Sequence, residues 1–233
     1  MCYDKGCFPP LVFYTASSDP MNLLPATCVI LAGGKSRRMG MDKRFLEVGG
    51  QTMLGRTITV CETLFADIMV VTAAPEPSIE TQLRVVHDVI PGCATLGGIY
   101  TGLSYASFEY GFVIACDMPW IHPDLVKFLV ALVQEPQETE YDVIIPKLQS
   151  GLQPTHAVYS KRCLPFLKEM LDRRDLKVQG LCAYANVSVR YVSSDEIEKF
   201  DPHGRAFANV NTLEDLENVR RDADLDRSPQ RIE

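Results

Sequence analysis

The densest chemistry in the chain lies between Cys28 and Arg44, which reads C-V-I-L-A-G-G-K-S-R-R-M-G-M-D-K-R. Lys35, Arg37, Arg38, Lys43 and Arg44 crowd a loop in which Asp42 is the single acid, directly after the paired glycines Gly33 and Gly34. Glycine lets a backbone approach a ligand and aim its N–H groups at phosphate oxygens. Arginine then neutralises the anion through its fork and lysine as a point charge. Two better-known phosphate loops do not fit. A P-loop requires G-x-x-x-x-G-K-[ST], but Gly34 and Gly40 enclose five residues and Met41 follows Gly40. The dinucleotide pattern G-x-G-x-x-G is missing too, and no acid ends the second strand, which argues against a nicotinamide- or flavin-type oxidoreductase. The plain alternative is a basic surface loop, yet generic loops rarely place this chemistry on a strand end.

A second centre is Asp117, delivered by the apolar run Phe112 to Cys116 and followed by Met118-Pro119. A carboxylate held at a strand end suits Mg²⁺, a hard ion that takes one or two carboxylates plus phosphate oxygens. The competing reading is a helix cap, against which the next helix starts nearer Pro123. Between the two centres, Gly92, Gly97, Gly98 and Gly102 frame a loop entering a helix from about Leu96 to Ala106. This loop serves equally as an anion-favouring helix start or as a tight packing turn.

The elements that must position these residues alternate. Cys28–Ala32 is an apolar strand, and a helix is predicted from Thr52 to Phe65, with Leu54, Ile58, Cys61 and Phe65 on one face. Ile68–Val71 is a second strand ending at Thr72, a short helix covers 78–82, and Val85–His87 is a third strand ending in Asp88. Strand and helix alternating at these lengths imply a parallel sheet covered on both faces, with ligands beyond the carboxyl ends of the strands. Further on, strands are predicted at 143–146, 156–159 and 187–192, and helices from Pro123, over 161–171 and near 177–185. Residues 207–211 alternate as a strand. Thr212 then caps a last helix, with Asp215 in the capping-box position.

At 233 residues with 46% hydrophobic and 23% charged side chains, the chain is long enough for one α/β domain with a substantial core. A net charge of −7 opposes adhesion to nucleic acid or anionic membrane through bulk electrostatics, so the cationic loop runs against the global sign. No apolar run approaches the ~20 residues of a membrane span. The eight cysteines form no C-x-x-C pair, and several sit in apolar runs, as reduced core thiols of a cytoplasmic protein would. Residues 1–26 lack the basic start and continuous apolar stretch of a signal peptide and are expected to be a poorly ordered extension. The domain is expected over 27–222, with a frayed charged tail at 223–233.

Leu31-Ala32-Gly33-Gly34-x-Ser36-x-Arg38-Met39-Gly40-x-Asp42-Lys43 resembles the signature of the Rossmann-like nucleotidyltransferases. Within these, L-A-G-G followed by D-K resembles the molybdenum cofactor guanylyltransferases of the MobA family. Three later segments follow in the family's order: Ala94-Thr95-Leu96-Gly97-Gly98 at the position of G-P-L-A-G with partial identity, Cys116-Asp117-Met118-Pro119 with C-D-x-P, and Asn209-Val210-Asn211-Thr212-Leu213 with N-[IV]-N-T-P, where Leu213 replaces the proline. The resemblance implies a three-layer α/β/α fold with a mostly parallel sheet, and transfer of GMP from GTP to the terminal phosphate of molybdopterin, releasing pyrophosphate. It implies that Leu31, Ala32, Gly33 and Gly34 hold the triphosphate, that Arg38 and Lys43 offset charge on the leaving pyrophosphate, and that Asp117 carries Mg²⁺. Asp88 would orient nucleotide or metal, and Asn209 and Asn211 would line the site. Transient contact with other molybdenum-cofactor biosynthesis proteins would follow. Thr72 departs from the family, which often has asparagine there in contact with nucleotide. A cytidylyltransferase, or another NTP-transferase with a different phosphorylated acceptor, is therefore the alternative within the class. A non-catalytic nucleotide-binding module is the alternative outside it. His156, in the family-like run Pro154 to Tyr159, fits either a substrate contact or a core histidine with a satisfied hydrogen bond, the second being preferred.

Overall fold

The computed structural model of the chain describes residues 23–33, 42–73, 75, 79, 81–134 and 140–227. Gly34, Lys35, Arg37 and Arg38 lie outside the described residues, as do Cys2, Cys7 and part of the helix expected at 78–82. In chain order the elements are β1 (Leu24–Leu31), β2 (Glu47–Val48), β3 (Gln51–Thr52), α1 (Met53–Glu62), β4 (Phe65–Thr72), β5 (Arg84–His87), α2 (Ala94–Tyr105), β6 (Tyr110–Ala115) and α3 (Pro123–Ala131). They continue with β7 (Val143–Leu148), β8 (Gly151–Leu152), β9 (His156–Ser160), α4 (Leu164–Asp172), β10 (Val189–Ser193), α5 (Ser194–Glu198) and α6 (Leu213–Arg227).

The main sheet runs β10-β7-β9-β6-β1-β4-β5, with β8 paired to β7. Every pair from β6 to β5 is parallel, as is β10 with β7. Only β9 (and the short β8) runs against its neighbours. The connection from β7 to β9 is too short for a crossover, so β9 must return antiparallel. β1 is the central strand and is buried on both faces. Cys28 and Ile30 pack with α1 and α3, whereas Val29 and Leu31 pack under α2 and α4. A Cβ on Gly102 would stand 2.3 Å from Val29 Cγ1, so glycine there is what lets α2 lie against β1. A third, smaller core of Leu46, Val48, Met53, Val210, Leu216 and Val219 joins the β2–β3 hairpin to α6.

This register fixes the working edge. Leu31 pairs with both Val71 and Ala115, and Thr72 pairs with His87, so the tips of β1, β4, β5 and β6 are level. Gly33, Asp88 and Asp117 emerge just beyond them. Because β9 is reversed, its first residue, His156, also lies at this edge, opposite Ile114.

Several boundaries differ from the periodicity reading. Helix α1 stops at Glu62, and Phe65 instead opens β4, where its ring stacks on Phe112 at 5.6 Å. Residues 207–211 form no strand. The segment makes a 3-10 turn at Arg205–Phe207, Phe207 packs on His156, and the Val210 N–H donates to the Asp117 carbonyl. The expected helix over 161–171 opens as a 3-10 turn at Lys161–Cys163, and the one near 177–185 is wholly 3-10, at Val178–Ala183. Helix α5, closed by a Ser193–Glu196 capping box, is an addition. Among the described residues, regular structure runs from Leu24 to Arg227. Cys28, Cys61, Cys93, Cys116 and Cys163 are buried free thiols, and burial pushes Cys116 up to about 12, where it is inert.

Candidate active site

Lys43 and Asp117 arrive from different parts of the chain and meet. Lys43 opens a 3-10 turn, Lys43–Phe45, whose N-cap Asp42 accepts from the Arg44 N–H at 3.1 Å. Arg44 folds back on the same carboxylate through Nε at 2.8 Å and donates to the Ala32 carbonyl at 3.3 Å. Its hydrogen bonds hold the Asp42 carboxyl below the usual range. Arg44, grouped by sequence with the phosphate-facing cations, is thus a buried brace between the turn and the tip of β1.

That brace leaves the neighbouring Lys43 turned toward Asn211 and Asp117. Lys43 Nζ donates to Asn211 Oδ1 at 2.8 Å and stands 3.6 Å from Asp117 Oδ2. Asn211 is carried at the head of α6, where the Asp215 carboxylate accepts from the N–H groups of Asn211 and Thr212, each at 2.8 Å. The Thr212 hydroxyl completes the capping box at 3.1 Å from the Asp215 N–H. The Asp117 side chain is about a quarter exposed (26%), and burial raises its carboxyl, partly opposed by Lys43. Asn209 is exposed beside it, separated from Asn211 by the buried Val210.

The other side of the edge is built differently. Asp88 follows β5, on the face covered by α2. A Cβ on Gly97 or Gly98 would sit 3.7 or 3.9 Å from its carboxylate oxygens. Its Oδ1 is buried and has no hydrogen-bond partner among the described residues, and burial pushes the group up to about 6. Thr72 and His87 lie on the opposite face of the sheet, following the alternation of Val70 and Val85. The Thr72 hydroxyl is hydrogen-bonded to His87 Nδ1 at 2.8 Å. The loop glycine Gly33 approaches the backbone of Ala73, whose nitrogen a Cβ on Gly33 would meet at 3.4 Å.

Of the residues singled out from sequence, Lys43, Asp117 and Asn211 come together. Leu31, Ala32, Gly33, Thr72 and Asp88 share the edge with them, and Gly34 and Arg38 are not described. His156 is fully buried between Phe112 and Phe207, at ring distances of 5.4 and 4.9 Å. It is a core histidine, but the hydrogen bond expected of it is missing, since neither ring nitrogen has a partner among the described residues. Burial pushes it down to about 4, with Asp201 opposing. Sequence reasoning missed the cluster around Trp120, over whose ring the guanidinium carbons of Arg205 and Arg56 stand at 4.2 and 5.4 Å. A tryptophan three residues after a strand-end aspartate was the available signal.

The comparisons with known proteins follow this geometry. The model of the MobA-like NTP transferase domain matches residues 28–186. A probable molybdenum cofactor guanylyltransferase of Pelotomaculum thermopropionicum is 40% identical, over 85% of this chain and 93% of that protein. A molybdenum cofactor guanylyltransferase of Desulfosudis oleivorans is 31% identical, over 83% and 93%. Among solved structures, molybdopterin-guanine dinucleotide biosynthesis protein A of Archaeoglobus fulgidus superposes with a TM-score of 0.75 at 22% identity, over 85% of this chain and 99% of that one. The 2-C-methyl-D-erythritol 4-phosphate cytidylyltransferase of Thermus thermophilus shares the fold more distantly, at a TM-score of 0.60, 18% identity and coverage of 85% and 99%. A match across most of the domain, with relatives of this identity along nearly their whole length, makes the chain a nucleotidyltransferase belonging to the MobA-like NTP transferase family.

Proposed function

We propose that the protein transfers GMP from GTP to the terminal phosphate of molybdopterin, releasing pyrophosphate. The observation that carries the reading is the meeting of Lys43, Asp117 and Asn211 at the β1/β6 tips, beside the glycine loop. The names of the relatives supply the acceptor. Asn211 lies beyond residue 186, where the family match ends, so the working unit extends to α6.

Asp117 fits a divalent ion of the Mg²⁺ kind. A cation already stands 3.6 Å from its oxygen, and no group of three or more His, Cys, Asp or Glu able to hold a metal occurs among the described residues. The ion would therefore complete its shell with phosphate oxygens and water, which is the habit of Mg²⁺. When bound, it supplies charge neutralisation across the phosphates and polarises the α-phosphate. Lys43 offers its ammonium to the β- and γ-phosphate oxygens and offsets charge as pyrophosphate leaves. Gly33 lets the triphosphate lie against the backbone, and Arg38 adds a second cation. No side-chain nucleophile is needed, because the attacking acceptor phosphate is already anionic.

Asp88 reads the base. Guanine presents two adjacent donors, N1–H and the 2-amino group, which match the two oxygens of a carboxylate; adenine and cytosine present one donor beside an acceptor. A buried Oδ1 with no partner among the described residues is an acceptor available to such a donor.

Pyrophosphate release is the test, with purified protein, Mg²⁺, molybdopterin and GTP, CTP or ATP in parallel. GTP-dependent release that requires molybdopterin is expected. A preference for CTP would replace guanylyl by cytidylyl transfer, and no release with any nucleotide would overturn the catalytic reading.

A further inference from the structure

Lys43 stands beside the carboxylate that would carry a metal ion. Its ammonium is held from both sides of the cleft, by Asn211 Oδ1 at 2.8 Å and by Asp117 Oδ2 at 3.6 Å. Neither contact is left to chance. Asp42 and Arg44 brace the turn that carries Lys43 against the Ala32 carbonyl. Asp215 pins the backbone of Asn211, and the Val210 N–H donates to the Asp117 carbonyl at 3.0 Å, tying the head of α6 to the tip of β6.

A divalent ion on Asp117 would be carried within the field of the ammonium, which stands 3.6 Å from Oδ2. We propose that Asn211, itself held by Asp215, positions Lys43 as an internal counter-cation on Asp117, so that the nucleotide-free protein disfavours divalent ions and metal enters together with the triphosphate that draws Lys43 away. This rests on the reading of Asp117 as the metal carboxylate. Three chemical facts support the exchange. The carboxylate is about three-quarters buried, and a cation beside it, whether ammonium or metal, offsets the cost of keeping it ionised. An ammonium on a four-carbon stem can swing by several ångströms without backbone movement. A triphosphate with several negative charges is a stronger partner for it than one carboxylate. Linkage then requires that nucleotide raise metal affinity by the factor that metal raises nucleotide affinity, with Lys43 carrying part of the coupling.

The probe is Mn²⁺, followed by water-proton relaxation with the full chain, alone and with guanosine 5′-(α,β-methylene)triphosphate. Without nucleotide, Lys43→Met is expected to bind Mn²⁺ about tenfold more tightly than the parent, whereas Lys43→Arg, which keeps the charge, stays weak. Asn211→Leu is expected to move in the same direction as Lys43→Met by a smaller factor. Lys168→Met, which removes an exposed cation from α4, is expected to change nothing. Equal Mn²⁺ affinity in the parent and Lys43→Met, with analogue-dependent binding intact, would overturn the counter-cation while leaving the site reading standing. Tightening by Lys168→Met to the same degree would overturn it as well, by reducing it to net charge. No change in Asn211→Leu would remove Asn211 from the device. If Asp117→Asn held Mn²⁺ with the analogue as tightly as the parent, the metal reading of Asp117 would fail and the proposal with it.

Discussion

Asp88 and Asp117 follow strands of one sheet and emerge at the same edge, yet their surroundings are opposite. Asp117 is met by a lysine that an asparagine holds in place. Asp88 is enclosed by α2 and its glycines, has a buried oxygen without a partner among the described residues, and is pushed up to about 6 by burial. A carboxylate with a counter-cation is prepared to exchange one cation for another. A carboxylate raised by burial, with no cation beside it among the described residues, is prepared for neutral donors, because a cationic neighbour would lower its pKa. On the proposed reading, the contrast separates a half that takes phosphate and metal from a half that reads the base.

The sharpest way to break this division is to neutralise each side. Asp117→Asn is expected to lower turnover about a thousandfold at unchanged nucleotide preference, measured by pyrophosphate release. Asp88→Asn is expected to do the reverse, with turnover at saturation largely kept and the preference for GTP over ATP falling about 10- to 100-fold, as for loss of a hydrogen bond to a charged acceptor. If both variants lost rate and kept preference, the two halves would not be distinct.

His156 extends the comparison to a buried base without a partner. Its folded pKa, about 4, lies below the ordinary value of 6.5, so the unfolded chain takes up the proton first. Above pH 6.5 it is neutral in both states and adds no pH dependence, and stability is lost as pH falls from there toward 4. At pH 5 the loss amounts to about 2 kcal/mol. Urea unfolding of the parent and His156→Leu at pH 7 and pH 5 should show that increment only in the parent.

The smallest expected effect sharpens the base-reading half. On the proposed reading, Asp88 accepts both guanine donors only when ionised, and at pH 5 roughly a tenth of it is. GTP affinity should fall about tenfold from pH 7 to pH 5, and Asp88→Asn should flatten that profile. A parent profile that is level through pH 6 would mean that Asp88 does not contact the base.

Much of the edge was legible because its parts are local. The run Cys28–Ala32 into Gly33 and Cys116–Asp117–Met118–Pro119 place a cationic loop and a carboxylate on strand ends whatever the rest of the chain does. Thr212 and Asp215 likewise announced the head of α6, and their capping hydrogen bonds are present. The misreadings occur where a local pattern had a stronger distant partner. Residues 207–211 alternate like a strand, but no strand edge is offered to them; Phe207 goes to His156 and Val210 to the Asp117 backbone. Phe65 has helical spacing from Cys61, but Phe112 claims its ring.

Lys43 and Arg44 show the boundary most plainly. The residue types and their order establish that two cations and one acid meet a glycine loop, and that an aspartate ends a later strand, because covalent sequence dictates strand ends and turn chemistry. Which cation spends itself on Asp42 and which turns to Asp117 depends on how the 3-10 turn faces the tips of β1 and β6 and the head of α6. That orientation exists only once segments remote in sequence have packed, since an ion pair is set by distance in space and not by position along the chain.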